Sequence, residues 1–166
     1  METTYYTIFD SPVGELMLVS HADALTAIEF GGGRRSGGPK PNWVRSDKPF
    51  LEAIRQLKSY FAGKRTSFDL RLSPAGTEFQ RQTWDALLEI PYGETRSYAQ
   101  IAQRIGRPKA VRAVGAANGS NPISIVVPCH RVVGSNGDLT GFGGGLDVKR
   151  KLLSLEGALP QPRLLD

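Results

Sequence analysis

The chain has 166 residues, 40% hydrophobic and 22% charged, with a net charge of +5, the make-up of a globular protein with one ordinary domain or two small ones. No run approaches the roughly 18 apolar residues of a membrane span, and the start lacks the basic-then-apolar pattern of a secretory signal, so a cytoplasmic protein is expected. One cysteine rules out an internal disulfide, and with only His21 and His130 beside it the usual four-ligand zinc site cannot be completed from cysteine and histidine.

From the N-terminus, Tyr6 to Phe9 and Glu15 to Val19 flank Ser11-Pro12-Val13-Gly14, which predicts two strands around a turn preset by proline and glycine. Leu25 to Phe30 predicts a third strand that completes a meander. Gly31 to Pro39 is too glycine-rich to order cheaply and is expected to be a mobile surface loop without chemistry, since it lacks the Lys-Ser/Thr ending of a phosphate-binding loop. Phe50, Leu51, Ile54, Leu57, Tyr60 and Phe61 recur at helical spacing between Pro49 and Ala62, and this helix should cover the sheet. Ser67 to Leu72 reads as one more strand. Pro74-Ala75-Gly76 then breaks the chain and marks the expected boundary between an N-terminal α/β unit, 1–74, and a C-terminal helical unit, 75–166.

The second unit opens on Thr77-Glu78-Phe79-Gln80, a capping-box pattern followed by the apolar stripe Phe79, Trp84, Leu87 and Leu88. Ser97-Tyr98-Ala99-Gln100 repeats the cap before a helix that buries Ile101, Ala102 and Ile105 and stops at Gly106. Pro108 suits the first turn of a third helix, Lys109 to Asn118, so the pair predicts a helix-turn-helix. Between Glu94 and Asp138 there is no carboxylate, while Arg96, Arg104, Arg107, Lys109, Arg112 and Arg131 build a positive field that suits either phosphates or a solvated face. Ala110, Ala113, Gly115, Ala116 and Ala117 are too short to read base edges at a distance. Such a helix packs tightly in a core or presses on DNA for position rather than sequence, and Arg112 among them favours DNA.

Asn121-Pro122 predicts a turn, and Ile123 to Val127 a short buried β-branched strand that ends at Pro128-Cys129-His130-Arg131. A nucleophile at the end of a rigid element is held in place for attack. A free thiol has a pKa of roughly 8.5 and reacts at neutral pH only with help from a base or a positive surrounding; His130 and Arg131 supply both. Adjacent side chains need not face each other, so His130 would act through a water molecule, oriented by Glu156 at the end of a final helix from Val148 to Leu155. Residue types alone leave three readings open: an inert cysteine in a non-catalytic winged-helix DNA binder, a cysteine hydrolase using Cys129, His130 and Glu156, and a thiol that accepts a group.

Val127-Pro128-Cys129-His130-Arg131-Val132-Val133 resembles the active-site signature of the O6-alkylguanine-DNA alkyltransferases, also called methylated-DNA–protein-cysteine methyltransferases. Ile90 to Tyr98, Arg112 to Gly115, Asn118 to Pro122 and Leu152 to Gly157 are similar to family segments in the same order, so the likeness covers nearly all of Thr77 to Gly157. The N-terminal part resembles the family only in its pattern of strands and one helix. The resemblance implies an α+β fold, with a small N-terminal antiparallel sheet and covering helix of ribonuclease-H-like type and a C-terminal helical winged helix-turn-helix domain.

The same resemblance implies direct-reversal DNA repair, in which Cys129 takes the alkyl group of O6-alkylguanine once and irreversibly, with O4-alkylthymine left open. His130 and Glu156 would draw the thiol proton through water, Asn121 would fix the turn, and Tyr98 would donate toward the leaving oxygen or help turn the 3′ phosphate. Arg112 would fill the gap left by a flipped base, while Ala113, Gly115, Ala116, Arg96, Ser97 and Tyr98 would lie against the minor groove. Val132, Ser135, Phe142, Gly143 and Gly144 would line the base pocket, and Phe142 stands where many members have tyrosine. The implied partner is double-stranded alkylated DNA, bound without sequence preference by a monomer, with cooperativity left open and no membrane, metal or cofactor involved.

Overall fold

The computed structural model describes residues 2–159. Strands β1 (Thr4–Ser11), β2 (Gly14–His21) and β3 (Ala24–Phe30) form the antiparallel meander. Ser11 closes the first turn through its side chain, donating to the Gly14 carbonyl at 2.6 Å and accepting from the Val13 N–H at 3.1 Å. Ala22 and Asp23, both at positive φ, make the second turn, a conformation that suits the twist of a two-residue hairpin. A fourth strand, β4 (Val44–Arg45), pairs in parallel with β1, giving the order β3-β2-β1-β4. Helix α1 (Leu51–Phe61) forms where its spacing predicts, with Leu57 and Tyr60 buried among Leu16, Leu18 and Ile28 in the core, but Leu51, expected on the same apolar face, is exposed.

Three expectations need correction. The 31–39 segment is not an irregular loop: Gly31–Ser36 winds into 3-10 turns, with Arg34 paired to Glu15 at 2.6 Å. Gly33 in it sits at φ +77°, a conformation that favours glycine, and a Cβ there would come within 2.4 Å of the Met17 side-chain tip and push it aside. The 67–72 stretch forms no strand and contributes one bridge, Leu25 to Leu72. Residues 123–127, expected as a strand, are instead a buried tight turn in which Ile125 adopts φ +75°.

The second unit contains α2 (Glu78–Leu88), β5 (Arg96–Ser97), α3 (Tyr98–Arg104), α4 (Val111–Gly119), β6 (Val132–Val133) and α5 (Leu146–Leu155). Both capping boxes form: Thr77 with Gln80, and Ser97 with Gln100. Helix α4 starts later than its sequence suggests, leaving Pro108 and Lys109 in the turn after α3. Strands β5 and β6 pair in parallel, which places the start of α3 beside the chain that leaves Cys129. Among the described residues, no helix is long and apolar enough to cross a membrane.

The outer edge of β3 joins the two units. Leu25 donates to the Arg71 carbonyl and accepts from Ser73, both at 2.9 Å. Ile28 donates to the Pro122 carbonyl at 2.9 Å and accepts from Ser124 at 3.2 Å, so the sheet holds the segment that leads to Cys129. Within the second unit, Trp84 on α2 is buried and donates its indole N–H to the Ala117 carbonyl of α4 at 2.8 Å, fixing the helix that carries Arg112 and Asn118. Replacing Trp84 by Phe keeps an aromatic ring but removes that bond and some volume. It should lower unfolding free energy by about 1–3 kcal/mol, measured as a fall in the urea midpoint at unchanged m-value.

Candidate active site

The turn before the cysteine is tied at both ends by Asn121. Its Oδ1 accepts from the Ile123 N–H at 3.0 Å and its Nδ2 donates to the Val127 carbonyl at 2.8 Å. Backbone bonds from Val126 to Ser124 and from Val127 to Ile123 tighten the turn further. Positive φ at a β-branched residue such as Ile125 costs about 1–3 kcal/mol and persists only where its surroundings over-determine it. Cys129 then opens a 3-10 turn, Cys129–Arg131, and is only 5% exposed. Asn118 on α4 donates to the Cys129 carbonyl at 3.4 Å.

Behind the cysteine lies a buried ionic cluster. Glu156, at the end of α5, accepts from His130 Nε2 at 2.8 Å and from Arg131 through Nε at 2.8 Å and Nη2 at 3.1 Å. Tyr60 donates to the same carboxylate at 2.6 Å. Burial works to raise the Glu156 pKa, but bonds from His130, Arg131 and Tyr60 outweigh it and hold the group at about 2. Burial lowers the His130 pKa, against the pull of Glu156, so the ring is neutral at pH 7. An ionised Glu156 can only accept, which assigns the ring proton to Nε2 and leaves the lone pair on Nδ1. Nδ1 is buried and has no hydrogen-bond partner among the described residues. Burial pushes the Cys129 thiol up, opposed by the Asn121 side chain and the Lys149 charge. The resting pair is therefore a neutral thiol and a neutral imidazole.

Cys129 also contributes to a cleft of about 590 Å³ whose walls come from both units, including Phe30, Gly33 and Arg35 from one and Asn121, Phe142 and Gly143 from the other. Phe30 and Phe142 stack tilted with centroids 5.4 Å apart, and Arg35 Nη1 donates to the Gly143 carbonyl at 2.7 Å. Gly144 lies against Phe30, where a Cβ would approach the ring to 2.7 Å. Of the expected pocket residues, Phe142 and Gly143 line this cleft; Val132 is buried, Ser135 is exposed, and Gly144 packs on Phe30 outside the lining. The cleft thus draws on the 31–39 segment, to which the sequence assigned no chemistry.

Lys149 is a further residue that the sequence reading missed. It is fully buried, donates to the carbonyls of Val132 at 2.7 Å and Thr140 at 3.1 Å, and burial lowers its pKa to about 8. A signal did exist: Lys149 shares the i, i+3, i+4 stripe of Leu152 and Leu153 and thus sits on the buried face of α5. Tyr60 gave no comparable signal, because helical spacing reads it as one more core aromatic.

Arg112, Ala113 and Ala116 are exposed along one face of α4, with Gly115 half-buried between them. The positive field is narrower than the sequence suggests: Arg96 pairs with Glu94, Arg104 with Glu89, and Arg131 with Glu156. Arg107, Lys109 and Arg112 form no ion pair among the described residues. Tyr98 and Thr140 share a hydrogen bond of 2.7 Å between hydroxyls, and Ser97 caps α3 through the Gln100 N–H.

Residues 78–158 match the family model described as the 6-O-methylguanine DNA methyltransferase DNA-binding domain, and residues 4–74 match that family's ribonuclease-like domain. The methylated-DNA–protein-cysteine methyltransferase of Methanosarcina acetivorans is 54% identical over 154 residues, spanning 93% of this chain and 99% of the relative. Its counterpart in Mycobacterium tuberculosis is 51% identical, with 92% of each chain covered. A crystal structure of the M. tuberculosis O6-methylguanine methyltransferase is 48% identical, has a TM-score of 0.85 and covers 98% of both chains. A structure of M. tuberculosis OGT in complex with DNA is 50% identical, with a TM-score of 0.86 and 93% of each chain covered. At this level of identity, over nearly the whole length of both partners, the chain belongs to the methylated-DNA–protein-cysteine methyltransferase family.

Proposed function

We propose that this protein repairs DNA by moving the alkyl group of O6-alkylguanine onto Cys129, once per molecule. The observation that carries the reading is the buried pair Glu156 to His130, which leaves an unpartnered Nδ1 lone pair on the residue next in sequence to a cysteine that opens onto a cleft. In this reaction the Cys129 sulfur attacks the alkyl carbon, an S–C bond forms, and the C–O6 bond breaks with its electron pair going to the guanine. The thiol proton passes through a water to His130 Nδ1, and Glu156 stabilises the imidazolium that results. A neutral thiol beside a neutral imidazole suits proton removal during attack better than a preformed ion pair. Tyr98 is assigned the proton donated to the departing base. The product thioether resists water, so the protein is consumed stoichiometrically.

The substrate base cannot reach the buried Cys129 while stacked in duplex, so it must be flipped into the cleft. We assign the exposed small-residue face of α4 to the minor groove, with Ala113, Gly115 and Ala116 allowing close approach and Arg112 entering the vacated stack. Arg96 and Ser97, at β5, and Tyr98 are assigned to the phosphate backbone near it. Phe142 and Gly143 in the cleft lining, together with Val132, Ser135 and Gly144, are assigned to the base pocket. The protein is further proposed to act as a cytoplasmic monomer of two units, 1–74 and 75–166, without sequence preference on DNA.

Incubation with duplex carrying O6-methylguanine should add one methyl to the Cys129 peptide by mass spectrometry, with uptake stopping at one equivalent. Cys129→Ala should take up none, and multiple turnovers or an unmodified Cys129 would reject the proposal. Arg112→Ala should slow transfer from duplex by about tenfold or more, given a flipping cost of a few kcal/mol, while transfer from a free base analogue stays near wild type. Equal loss on both substrates would remove the finger role. Because burial lowers the His130 pKa, the base stays unprotonated below the ordinary imidazole value. The single-turnover rate should therefore hold down to about pH 6.5 and fall only below it; an acid limb centred above that value contradicts the assignment.

A further inference from the structure

We infer that Tyr60, on the helix of the N-terminal unit, is a positioning residue of the alkyl-transfer site, its hydroxyl sharing Glu156 Oε2 with His130 and so holding the carboxylate while limiting its pull on the imidazole. The inference rests on the proton relay proposed above. Tyr60 lies 96 residues before Glu156 in sequence, and its bond to Oε2 is the shortest of the four that the carboxylate accepts.

Arg131 already compensates the charge of Glu156 with a two-pronged grip on both oxygens. Charge neutralisation therefore does not require a phenol, and for packing alone phenylalanine would serve, since the ring sits among Phe61, Phe68 and Tyr92 at centroid distances of 5.2 to 6.3 Å. Burying a hydroxyl there would cost a few kcal/mol were it unpaired. What the hydroxyl adds is a second, independent direction of restraint on Oε2, the oxygen that also accepts the hydrogen bond from His130 Nε2. Arg131 approaches from the turn that carries His130, whereas Tyr60 approaches from the other unit. The carboxylate is thereby referenced to both halves of the molecule, and imidazole orientation depends on their docking. Burial and the neighbouring Glu156 charge keep the phenol protonated, so it remains a donor throughout the working pH range.

The groups facing Glu156 are Tyr60 from α1, Tyr92 from the chain before β5, and His130 and Arg131 from the 3-10 turn; His130 is faced in turn by Glu156, Arg131 and the Lys149 ammonium from α5. Removing the Tyr60 donor leaves Oε2 more basic, which strengthens its pull on the His130 Nε2–H and raises the proton affinity of the ring. His130 then becomes protonated, and lost as a base, at a higher pH.

The test is the pH profile of single-turnover methyl transfer for full-length Tyr60→Phe. The acid limb should move up by about half a unit or more, equivalent to about threefold in rate on that limb, while affinity for unmodified duplex stays unchanged. Leu57→Ala, buried on the same helix, should lower stability and leave the limb in place. In a Glu156→Gln background, adding Tyr60→Phe should change the rate no further, as expected of two groups acting as one unit. A Tyr60→Phe profile that superimposes on wild type, or rate losses that multiply in the double variant, would overturn the inference and leave the alkyl-transfer reading intact. If the wild-type chain takes up no methyl, that reading itself fails.

Discussion

The structure turns on a single buried charge. Glu156 is 4% exposed, yet it stays ionised because four donated hydrogen bonds converge on its two oxygens. A buried carboxylate would lose several kcal/mol on leaving water, and only close geometry with every lone pair engaged repays that cost. The repayment has a structural consequence. His130, Arg131, Tyr60 and the end of α5 must all arrive at one point, so the sheet-covering helix, the nucleophile turn and the last helix are registered to each other. Arg131 extends this network by donating to the Ile90 carbonyl at 2.7 Å, which ties in the chain that leads to β5.

Strain and restraint balance in the same way at the nucleophile. Ile125 at positive φ is a conformation that a β-branched residue adopts only under compulsion, and Asn121, the β3 edge and full burial supply it. Lys149 does similar work on the other side of Cys129. Its ammonium joins the carbonyls of Val132 and Thr140, so the chain that folds back to form the cleft wall is tethered to β6. Phe142 beneath it keeps an aromatic wall, with the Lys149 nitrogen 5.8 Å from its ring centre.

Much of this was legible in the sequence because the signals were local. Thr77/Gln80 and Ser97/Gln100 are capping pairs that a reader can recognise from spacing alone, and both form. The meander followed from alternation and from the Ser11 to Gly14 turn. Polar partners across long separations were harder. The Glu156–His130 contact was expected from chemistry, but the Tyr60 hydroxyl and the Arg35 bond to Gly143 join residues about a hundred positions apart, and no periodicity encodes them. The 123–127 run was read as a strand because β-branched residues favour one; a tertiary requirement, the tight turn closed by Asn121, overrode that local preference. The glycine-rich 31–38 segment misled for a related reason. Glycines that look like a licence for disorder here permit positive φ and close packing on Met17.

The outer edge of β3 has one more effect. An exposed strand edge presents unpaired N–H and C=O groups to any passing extended chain, and natural sheets blunt such edges to prevent end-to-end association. Here the capping is intramolecular: at Leu25 the edge is closed by residues 71–73 at the end of the first unit, and at Ile28 by the chain that delivers Cys129. The segment that arms the nucleophile thus also shields the sheet from self-recruitment. Loosening it would expose a template for aggregation along with the loss of the reactive geometry.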